Sequence, residues 1–284
     1  MSTVSASAVE QQPSRQDRQR PVPLPVTRQW LGQGWSGLIG WSAGIAVVIF
    51  IYLPIYPSMQ SPELVGMVDA LPPELVRTLG FESITTGAGY AQATFFGLLG
   101  FVLLAIAGIS WGAAFIGGAE ESGRLELTLA HGVGRVSFAL QSALALVVKL
   151  LVLGAVGWLL IWALNGPAEL GLEPANLVAV STAWVGLALL SATAAFAGGA
   201  LSGRRSWGVR IGAGVAVLGY VLQAAANNSD DLDWVRRFSP YAWAYGGEPL
   251  RNGYDWTGLA LLWGGSIVLV GVGTWALSRR DILG

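Results

Sequence analysis

Six long apolar stretches, separated by short segments that hold nearly every charge, constrain most strongly what this chain can fold into. They cover residues 37–56, 94–115, 136–164, 177–198, 209–226 and 257–277. Each is close to or above the roughly 20 residues that a helix needs to cross about 30 Å of hydrocarbon. The runs are continuous rather than alternating, and they are too few and too long for a membrane β-barrel. We therefore expect an all-α polytopic membrane protein with six transmembrane helices.

Composition supports this class and excludes several kinds of site. The chain is 53% hydrophobic and only 12% charged, whereas a water-soluble domain of 284 residues would expose far more charge. The absence of cysteine excludes disulfides, thiolate metal sites and cysteine nucleophiles. A single histidine, His131, also excludes a multi-histidine metal site. We expect neither a metal nor a cofactor bound by this chain, and no nucleic-acid partner.

The distribution of arginine predicts the orientation in the membrane. With the N-terminus in the cytoplasm, eleven arginines fall on the inner side and four on the outer side, which agrees with the positive-inside rule. Both termini should then be cytoplasmic. The inner residues are Arg15, Arg18, Arg20, Arg28, Arg124, Arg135, Arg204, Arg205, Arg210, Arg279 and Arg280, and the outer ones are Arg77, Arg236, Arg237 and Arg251.

The N-terminal region divides into a tail and a short amphipathic segment. Residues 1–25 are rich in Ser, Gln, Arg and Pro and lack an apolar run, which predicts a disordered cytosolic tail ahead of a transmembrane domain over 26–284. Residues 26–36 place Trp30 beside Arg28, as in a helix that lies in the inner headgroup region. An aromatic belt that leads into the first span is the alternative.

The inner loop 117–135 has the composition of a docking element. Its acidic residues, an arginine and alternating leucines predict a short helix set off by glycines, which could contact a cytosolic partner. A solvated connector with ordinary helix-end charges is the alternative. The residues that carry the docking hypothesis are Glu120, Glu121, Gly123, Arg124, Leu125 and Glu126.

Two outer segments are long enough to carry structure. Residues 227–256 are too aromatic to remain in water and too polar to span, so we expect one or two short helices that re-enter the outer leaflet against the protein. Interfacial anchoring is the alternative. The outer connection 57–90 predicts two short amphipathic helices broken at a Pro-Pro pair, 72–73. The residues proposed for a pathway in the first segment are Trp234, Phe238, Pro240, Tyr241, Trp243 and Tyr245.

Lys149 is the only lysine and lies near the middle of the third stretch. A charge at that depth costs about 2.5–3.5 kcal/mol on insertion scales, so it indicates a functional site by default. No Asp or Glu lies in any predicted span to pair with it. Carbonyl groups, water or loss of the charge must therefore compensate. We add Lys149 to the pathway residues, with a single buried polar contact between helices as the alternative.

Three other functions receive weak support from the sequence. Gly40–Gly44 matches the G-x-S-x-G pattern of serine hydrolases, but its Ser42 would need His131 from a separate inner loop. Close helix packing explains this pair of glycines better, as it does Gly108 and Gly112. Lys149 is followed by leucine, which excludes a phosphate-binding loop. A secondary transporter would show intramembrane carboxylates or inverted repeats, and neither is evident.

The order of these parts resembles one family, the type-two membrane permeases of ATP-binding-cassette exporters. The resemblance covers residues 26–284 and rests on short patterns. The segment 120–127 followed by Arg135 is similar to the family's coupling element, and Arg279-Arg280-Asp281 is similar to its chain end. The outer patterns are Ser239-Pro240-Tyr241-Ala242-Trp243 and Pro249-Leu250-Arg251-Asn252-Gly253. Gly40-Trp41 and Tyr56-Pro57-Ser58 are similar to the branch of tetronasin and polyketide-antibiotic exporters.

The resemblance implies a function in outward transport. Two permeases, identical or paralogous, would form a pathway in a bacterial plasma membrane, and two separate ATPase subunits would bind ATP and Mg²⁺ beneath them. The inner loop, with Arg28 and Trp30 of the N-terminal helix, would carry ATPase movement into the spans. An amphiphilic drug, antibiotic or lipid-like compound would leave past the outer aromatic segment. This chain would then be a transport subunit rather than an enzyme.

Overall fold

The computed structural model describes residues 24–60 and 86–280, which are almost entirely helical and contain no strand. Within these residues six helices are long and apolar enough to cross a membrane, which confirms the predicted all-α class and the six long apolar helices. In chain order the helices are α1 (Pro25–Gln33), α2 (Trp35–Met59), α3 (Gly87–Glu121), α4 (Arg124–Ala130), α5 (Arg135–Leu164), α6 (Pro174–Ser202), α7 (Arg205–Asn228), α8 (Pro240–Tyr245), α9 (Pro249–Asn252) and α10 (Trp256–Arg279).

The six long helices extend beyond the apolar stretches that predicted them, because polar and glycine-rich residues continue the helix at most ends. The largest extension is in α3, which begins at Gly87 and ends at Glu121. A 3-10 stretch, Asp230–Phe238, precedes α8. Residues 1–23 of the predicted N-terminal tail, most of the outer connection 57–90 and the last four residues lie outside the described residues, and Pro25, the last residue of the predicted tail, begins α1.

Helix α6 forms the centre of the bundle. It is the most buried of the long helices and packs against α3, α5, α7 and α10. Its sequence is rich in alanine and glycine, so neighbouring backbones can approach it closely. Helix α2 is at the opposite extreme, since it contacts mainly α5 and α3 and exposes most of its apolar side chains.

Glycines allow close approach at some predicted positions but not at others. A Cβ on Gly112 would lie 2.1 Å from the Ala192 carbonyl oxygen of α6, so the Gly108–Gly112 pattern does mark close helix packing. A Cβ on Gly40 or Gly44 would have nothing within 4 Å. The packing interpretation of this second pair is therefore wrong for contacts within the described chain, because that face of α2 is open.

Helix α3 contains two stretches of π-helix, at Gln92–Leu99 and Ala114–Gly118. The wider turns of a π-helix shift backbone carbonyl groups out of the regular α-helical ladder, and such stretches are frequent at functional sites. Here the first stretch faces α8 and the second leads into the segment that joins α3 to α4.

Candidate functional site

Two regions at opposite ends of the bundle hold the predicted site residues. At the end called inner here, α1 and α4 meet the ends of α3, α5 and α10. At the end called outer, residues 230–252 form the outer segment, which packs against α3, α6, α7 and α10. The predicted coupling residues belong to the first region, and most of the predicted pathway residues belong to the second.

Helix α1 is attached to α5 by hydrogen bonds at its beginning. The backbone N–H of Val26 donates to Gln141 Oε1 at 3.0 Å, and the Thr27 hydroxyl donates to the Gln141 carbonyl oxygen at 3.0 Å. Val26, Thr27 and Trp30 are the buried residues of this helix, at the spacing of one helical face. That face contacts protein, and the predicted coupling residue Arg28 is exposed on another face.

Trp30 connects α1 to three other elements. Its indole N–H donates to the Ser142 hydroxyl of α5 at 3.0 Å, and its ring stacks on Phe115 of α3 with centroids 4.5 Å apart. The guanidinium carbon of Arg124, the first residue of α4, lies 5.3 Å from the same ring, within the range of a cation–π interaction. Two of the predicted coupling residues, Trp30 and Arg124, are therefore in contact.

Lys149 belongs to this inner region and not to the outer segment. Its side chain is only 2% exposed, and its Nζ lies 4.8 Å from the ring centroid of Trp111 and 5.6 Å from that of Phe115. A Cβ on Gly34 would lie 1.9 Å from Nζ and 2.9 Å from the Trp30 carbonyl oxygen. The ammonium group thus occupies the space that a side chain at Gly34 would fill.

This position explains how a charge can be buried here without an acidic partner. Among the described residues no carboxylate forms an ion pair with Lys149. Gly34 caps the C-terminus of α1, where free carbonyl groups and the helix dipole favour a cation. Two aromatic faces add cation–π attraction. The two aromatic rings and the end of α1 at Gly34 are the groups that the structure places near the ammonium.

The short inner helix is smaller than the sequence predicted. Glu120 and Glu121 end α3, and only Arg124–Ala130 forms the separate helix α4. The break falls at Gly123, whose φ of 69° lies in the left-handed region that glycine adopts at little cost. Leu125 is fully buried and anchors α4, whereas Glu126 is exposed.

The two adjacent carboxylates join different helices. Glu120 forms an ion pair with Arg280 just beyond α10, and both side chains are largely buried. Arg280 also accepts, through its carbonyl oxygen, a 2.8 Å hydrogen bond from the Arg135 guanidinium at the start of α5. Glu121 Oε1 accepts the backbone N–H of Arg205 at the start of α7 at 3.1 Å. The last residues of α3 therefore hold the inner ends of α7 and α10, and α5 is joined to them through Arg280.

The serine-hydrolase geometry does not form in the described structure. His131 is exposed, and its Nδ1 lies 2.6 Å from the Leu127 carbonyl oxygen within its own segment. No hydrogen bond joins it to Ser42 in the part of the chain that the structure describes. Likewise, no group of three His, Asp or Glu residues there could hold a metal ion.

The outer segment reaches α7 through its first turn after the 3-10 stretch. The Ser239 hydroxyl is buried and donates to the Gly219 carbonyl oxygen of α7 at 2.6 Å, while also accepting the backbone N–H of Ala242 as the N-cap of α8. Pro240 lies over Gly219, where a Cβ would be 3.3 Å from the proline ring. A glycine in α7 and a Ser-Pro pair together allow α8 to lie against the long helix.

Two tyrosines attach α8 to the first π-helical stretch of α3. The Tyr241 hydroxyl donates to the Gly97 carbonyl oxygen at 2.9 Å, and the Tyr245 hydroxyl donates to that of Phe96 at 2.8 Å. Burial, and then the neighbouring Tyr220 hydroxyl, raises the pKa of Tyr241 to about 12. Burial also raises the pKa of Tyr245 well above its ordinary value. Both phenols therefore remain protonated donors at neutral pH.

The remaining aromatic residues of the outer segment are placed differently. Trp234 and Phe238 are 60% and 63% exposed and pack edge to face on each other. The Trp243 indole donates to the Arg237 carbonyl oxygen at 2.9 Å, which closes the segment on itself. Of the predicted pathway aromatics, only Tyr241 and Tyr245 are thus brought against α3.

Two spaces adjoin Tyr241. An almost wholly apolar groove of about 310 Å³ runs between α3 and α7, and it is lined by Leu98, Phe101, Val102, Ile106, Val217 and Tyr220 among others. A polar cavity of about 330 Å³ lies between the outer ends of α3 and α7 and the outer segment. The polar residues that line it are Gln92, Gln223, Asn227, Arg236, Tyr241, Tyr245, Glu248 and Arg251.

Several residues of these regions were missed by sequence reasoning. Gly34, Arg280 and Phe115 complete the inner region, and Tyr220 and Gln223 line the outer spaces, yet none carries a local motif that points to its contact. Lys149 was found by its depth, but its partners come from α1 and α3 and could be found only from the fold. Arg280 had a signal only as part of the pattern at the chain end.

The fold and these two regions define a polytopic helical membrane protein with a polar inner cluster and an aromatic outer segment. Comparison with models of known protein families gives no match, and comparison with curated proteins gives none either.

Proposed function

We propose that this chain is the membrane permease subunit of an ATP-binding-cassette exporter, which moves an amphiphilic compound outward across a bacterial plasma membrane. Two permeases, identical or paralogous, form the pathway, and two separate ATPase subunits bind ATP and Mg²⁺. Both termini lie in the cytoplasm. The proposal continues the resemblance of the sequence, and the geometry of the inner region supports it.

The observation that carries the proposal is the set of connections made by the end of α3 and the start of α4. Glu120 links this segment to α10, Glu121 links it to α7, and Arg124 links it through Trp30 to α1 and α5. A force applied to this segment therefore reaches most of the bundle through direct contacts. A permease driven by an external ATPase requires such a point of attachment.

The exposed side of α4 supplies a surface for the ATPase subunit. Leu127 is 63% exposed although it is apolar, and Arg124 and Glu126 are exposed beside it. Leu125 on the opposite side is fully buried, so α4 is anchored by one leucine and presents another. Because Glu120 and Glu121 are engaged within the chain, we assign docking to the exposed residues and transmission to these two carboxylates.

The outer segment supports the exit side of the same proposal. Ser239 bonds to Gly219, which lies nine residues before the end of α7 at Asn228, or about 13 Å along the helix axis. We propose that α8 and α9 are re-entrant, since their polar groups are satisfied by neighbouring backbone at that depth. We also propose that α1 lies in the inner interface, where its exposed face with Arg28 meets headgroups.

The test is co-purification in mild detergent with two matched substitutions. Leu127→Glu places a charge on the exposed side of α4, and Leu232→Glu makes the same change at a 39% exposed residue of the outer segment. We expect the unchanged chain and Leu232→Glu to co-elute with an ATPase subunit, and Leu127→Glu to lose it while remaining monodisperse. ATP hydrolysis by the eluted complex, measured alongside, should follow co-elution.

Other outcomes would point to other classes of protein. Full transport by the purified chain without any ATPase, driven by an ion gradient, would contradict the proposal in favour of a secondary transporter. Proteolytic activity that disappears in Ser42→Ala would do so in favour of an intramembrane protease. The mass of the intact complex would show whether two identical permeases or two different ones are present.

A further inference from the structure

Tyr241 separates two spaces of opposite chemical character. Its ring packs edge to face on Phe101 and Tyr220, with centroids 5.6 and 5.4 Å away, and both of those residues line the apolar groove. Tyr241 itself lines the polar cavity on its other side. The Tyr241 ring therefore lies between the groove residues and the polar cavity.

The closed position of Tyr241 is held by one hydrogen bond that depends on a glycine. Its hydroxyl donates to the Gly97 carbonyl oxygen at 2.9 Å, and a Cβ on Gly97 would lie 2.6 Å from the same hydroxyl. Any larger residue would therefore push the ring away from α3. Gly97 lies within the π-helical stretch Gln92–Leu99, a local geometry that recurs at functional sites.

The lining of the polar cavity holds two guanidinium groups and one carboxylate, those of Arg236, Arg251 and Glu248. Each guanidinium has five N–H donors and no acceptor. Arg236 uses part of that capacity on Asp233, Asn227 and the Ala226 carbonyl oxygen, and Arg251 uses part of it on Glu248. The side-chain amides of Gln92, Gln223 and Asn227 add both donors and acceptors, and Gln223 Oε1 is a buried acceptor without a hydrogen-bond partner among the described residues. The second guanidinium leaves one positive charge in excess among the lining residues, so the matching ligand group is an anion with acceptor oxygens, as in a sulfate, phosphate or carboxylate.

We propose that the groove and the cavity are the two halves of one site for a small amphiphile, and that Tyr241 is the barrier between them. The apolar body occupies the groove between α3 and α7, and the acceptor-rich head enters the polar cavity when Tyr241 releases Gly97. Each half, at about 310 and 330 Å³, is at the lower end of the volumes that hold drug-sized ligands. The occupant is a free, single-tailed compound rather than a two-chain membrane lipid. Its role as export substrate rests on the proposed function.

The barrier is tested by thiol labelling, for which the chain is suited because it contains no cysteine. Ala216 lines the groove, so Ala216→Cys reports whether a charged, membrane-impermeant methanethiosulfonate reaches it from the outer side. When Tyr241 is unchanged, we expect slow labelling of the introduced thiol. Tyr241→Phe should accelerate it about fivefold, the factor of one ordinary hydrogen bond, and Tyr241→Ala should accelerate it further.

Asn176→Ala is the control for loosening of the outer segment. It removes the two hydrogen bonds, at 3.2 Å, that the Asn176 side-chain amide of α6 donates to the Leu250 and Arg251 carbonyl oxygens. Asn176 lines neither the groove nor the polar cavity, so its substitution should leave the labelling rate unchanged. Equal acceleration by Asn176→Ala would show that loosening of the outer segment as a whole is responsible and would overturn the assignment to Tyr241. No acceleration by Tyr241→Ala would overturn it too.

The ligand class is tested with dodecyl sulfate that carries a diazirine at the end of its tail, added below its micellar concentration to protein in phosphatidylcholine nanodiscs. We expect saturable photolabelling of the groove residues of α3 and α7. Ala216→Trp should fill the groove and abolish it, whereas Ala155→Trp, in an apolar groove between α5, α6 and α10, should not. Unlabelled dodecyl sulfate should compete better than dodecyltrimethylammonium, because the cavity favours an acceptor-rich head.

The alternative occupants give distinct results. Equal labelling by a diazirine phosphatidylcholine would show that membrane lipid fills the groove, and photocrosslinks between two copies of the chain would show that a second permease covers it. Either result would overturn the amphiphile site. These assays contain neither ATPase nor ATP, so they can succeed where co-purification fails and can fail where it succeeds.

Discussion

The inner and outer regions use charge differently. The inner region adds charged contacts between helices to the neutral hydrogen bonds of α1: the ion pair of Glu120 with Arg280, the Glu121 carboxylate on a helix N-terminus and the Lys149 ammonium against two rings. The outer region bonds to α3 and α7 mainly through neutral hydroxyls of Ser239, Tyr241 and Tyr245 that donate to backbone carbonyl groups, and its two described ion pairs lie within the outer segment itself.

The difference follows from the cost of desolvating a charge. A neutral hydroxyl that finds a carbonyl partner can be buried at little net cost, whereas a buried charge needs strong compensation. The outer segment is therefore suited to residing among apolar helices. The inner ion pairs are suited to exchanging partners, as the proposed function requires, since ion pairs at an aqueous boundary can be replaced by water or by other charges. The predictions that follow test this division.

The largest effect is expected from removal of the Lys149 charge. In a Val26→Cys background, Lys149→Met should let α1 detach from the bundle, because the cation–π and helix-terminus contacts are lost. If these contacts are worth about 2 kcal/mol beyond the cost of burying the charge, labelling of the introduced thiol by an impermeant maleimide in inverted vesicles should rise about thirtyfold. Val26 is 2% exposed in the intact structure, which makes its position a sensitive reporter.

A change on the facing residue should give the same result by another route. Gly34→Ala places a methyl group 1.9 Å from the Lys149 Nζ, so it too should expose the thiol of the Val26→Cys background, and the two substitutions together should cost less than their sum. Leu151→Met, at a 46% exposed position of the same helix, is the control for a change in α5. Unchanged labelling in Lys149→Met would mean that the hydrogen bonds of Val26, Thr27 and Trp30 hold α1 without the lysine.

The sequence predicted the elements of the inner region better than their contacts. Hydropathy located the spans, and the charge and glycine pattern located the loop that follows the second span. The sequence did not predict that α3 continues to Glu121. Glu and Ala are good helix formers, and the helix ends only where Gly123 adopts a left-handed backbone. The depth of Lys149 indicated importance, but its compensation by the end of α1 depends on how α1 packs in three dimensions.

A smaller effect is expected from the ion pair at the end of α10. Glu120→Gln removes the partner of Arg280 where the two side chains are 16% and 24% exposed, between the fully buried and the surface case. We expect a loss of about 1–2 kcal/mol in stability. Tryptophan fluorescence during thermal unfolding in detergent micelles measures it directly. Equal melting temperatures for Glu120→Gln and the unchanged chain would show that the pair is screened by water.

The neighbouring carboxylates should give a graded series. Glu121→Gln weakens an exposed contact with the Arg205 backbone N–H at a helix N-terminus, so we expect about 0.5 kcal/mol. Glu126→Gln should be neutral in stability, because Glu126 is exposed and forms no ion pair among the described residues. The same unfolding measurement ranks all three, and a loss for Glu126→Gln as large as that for Glu120→Gln would contradict the series.

The outer segment was predictable as a short helical element but not in its orientation. Ser239-Pro240 is a recognisable helix start, and the aromatic content excluded a solvated loop. Five aromatic residues looked equivalent in sequence, yet only two face α3, because the short α8 presents Tyr241 and Tyr245 on one face while Trp234 and Phe238 belong to the preceding 3-10 stretch. Helix periodicity could separate them only once the start of α8 was known.

The smallest effect is expected from pH, and it distinguishes the neutral outer contacts from the charged inner ones. Burial raises the pKa of Tyr241 to about 12, so the folded state favours the protonated phenol. Its contribution is complete below the ordinary tyrosine value of about 10 and is lost as the pH rises toward 12. In the Ala216→Cys background, the ratio of labelling rates with Tyr241→Phe and with the unchanged barrier should therefore stay constant from neutral pH to about pH 9. Both rates depend in the same way on ionisation of the introduced thiol, so their ratio reports only the ionisation of the Tyr241 phenol. A ratio that fell across this range would mean that Tyr241 already ionises and that the barrier is not a neutral hydrogen bond.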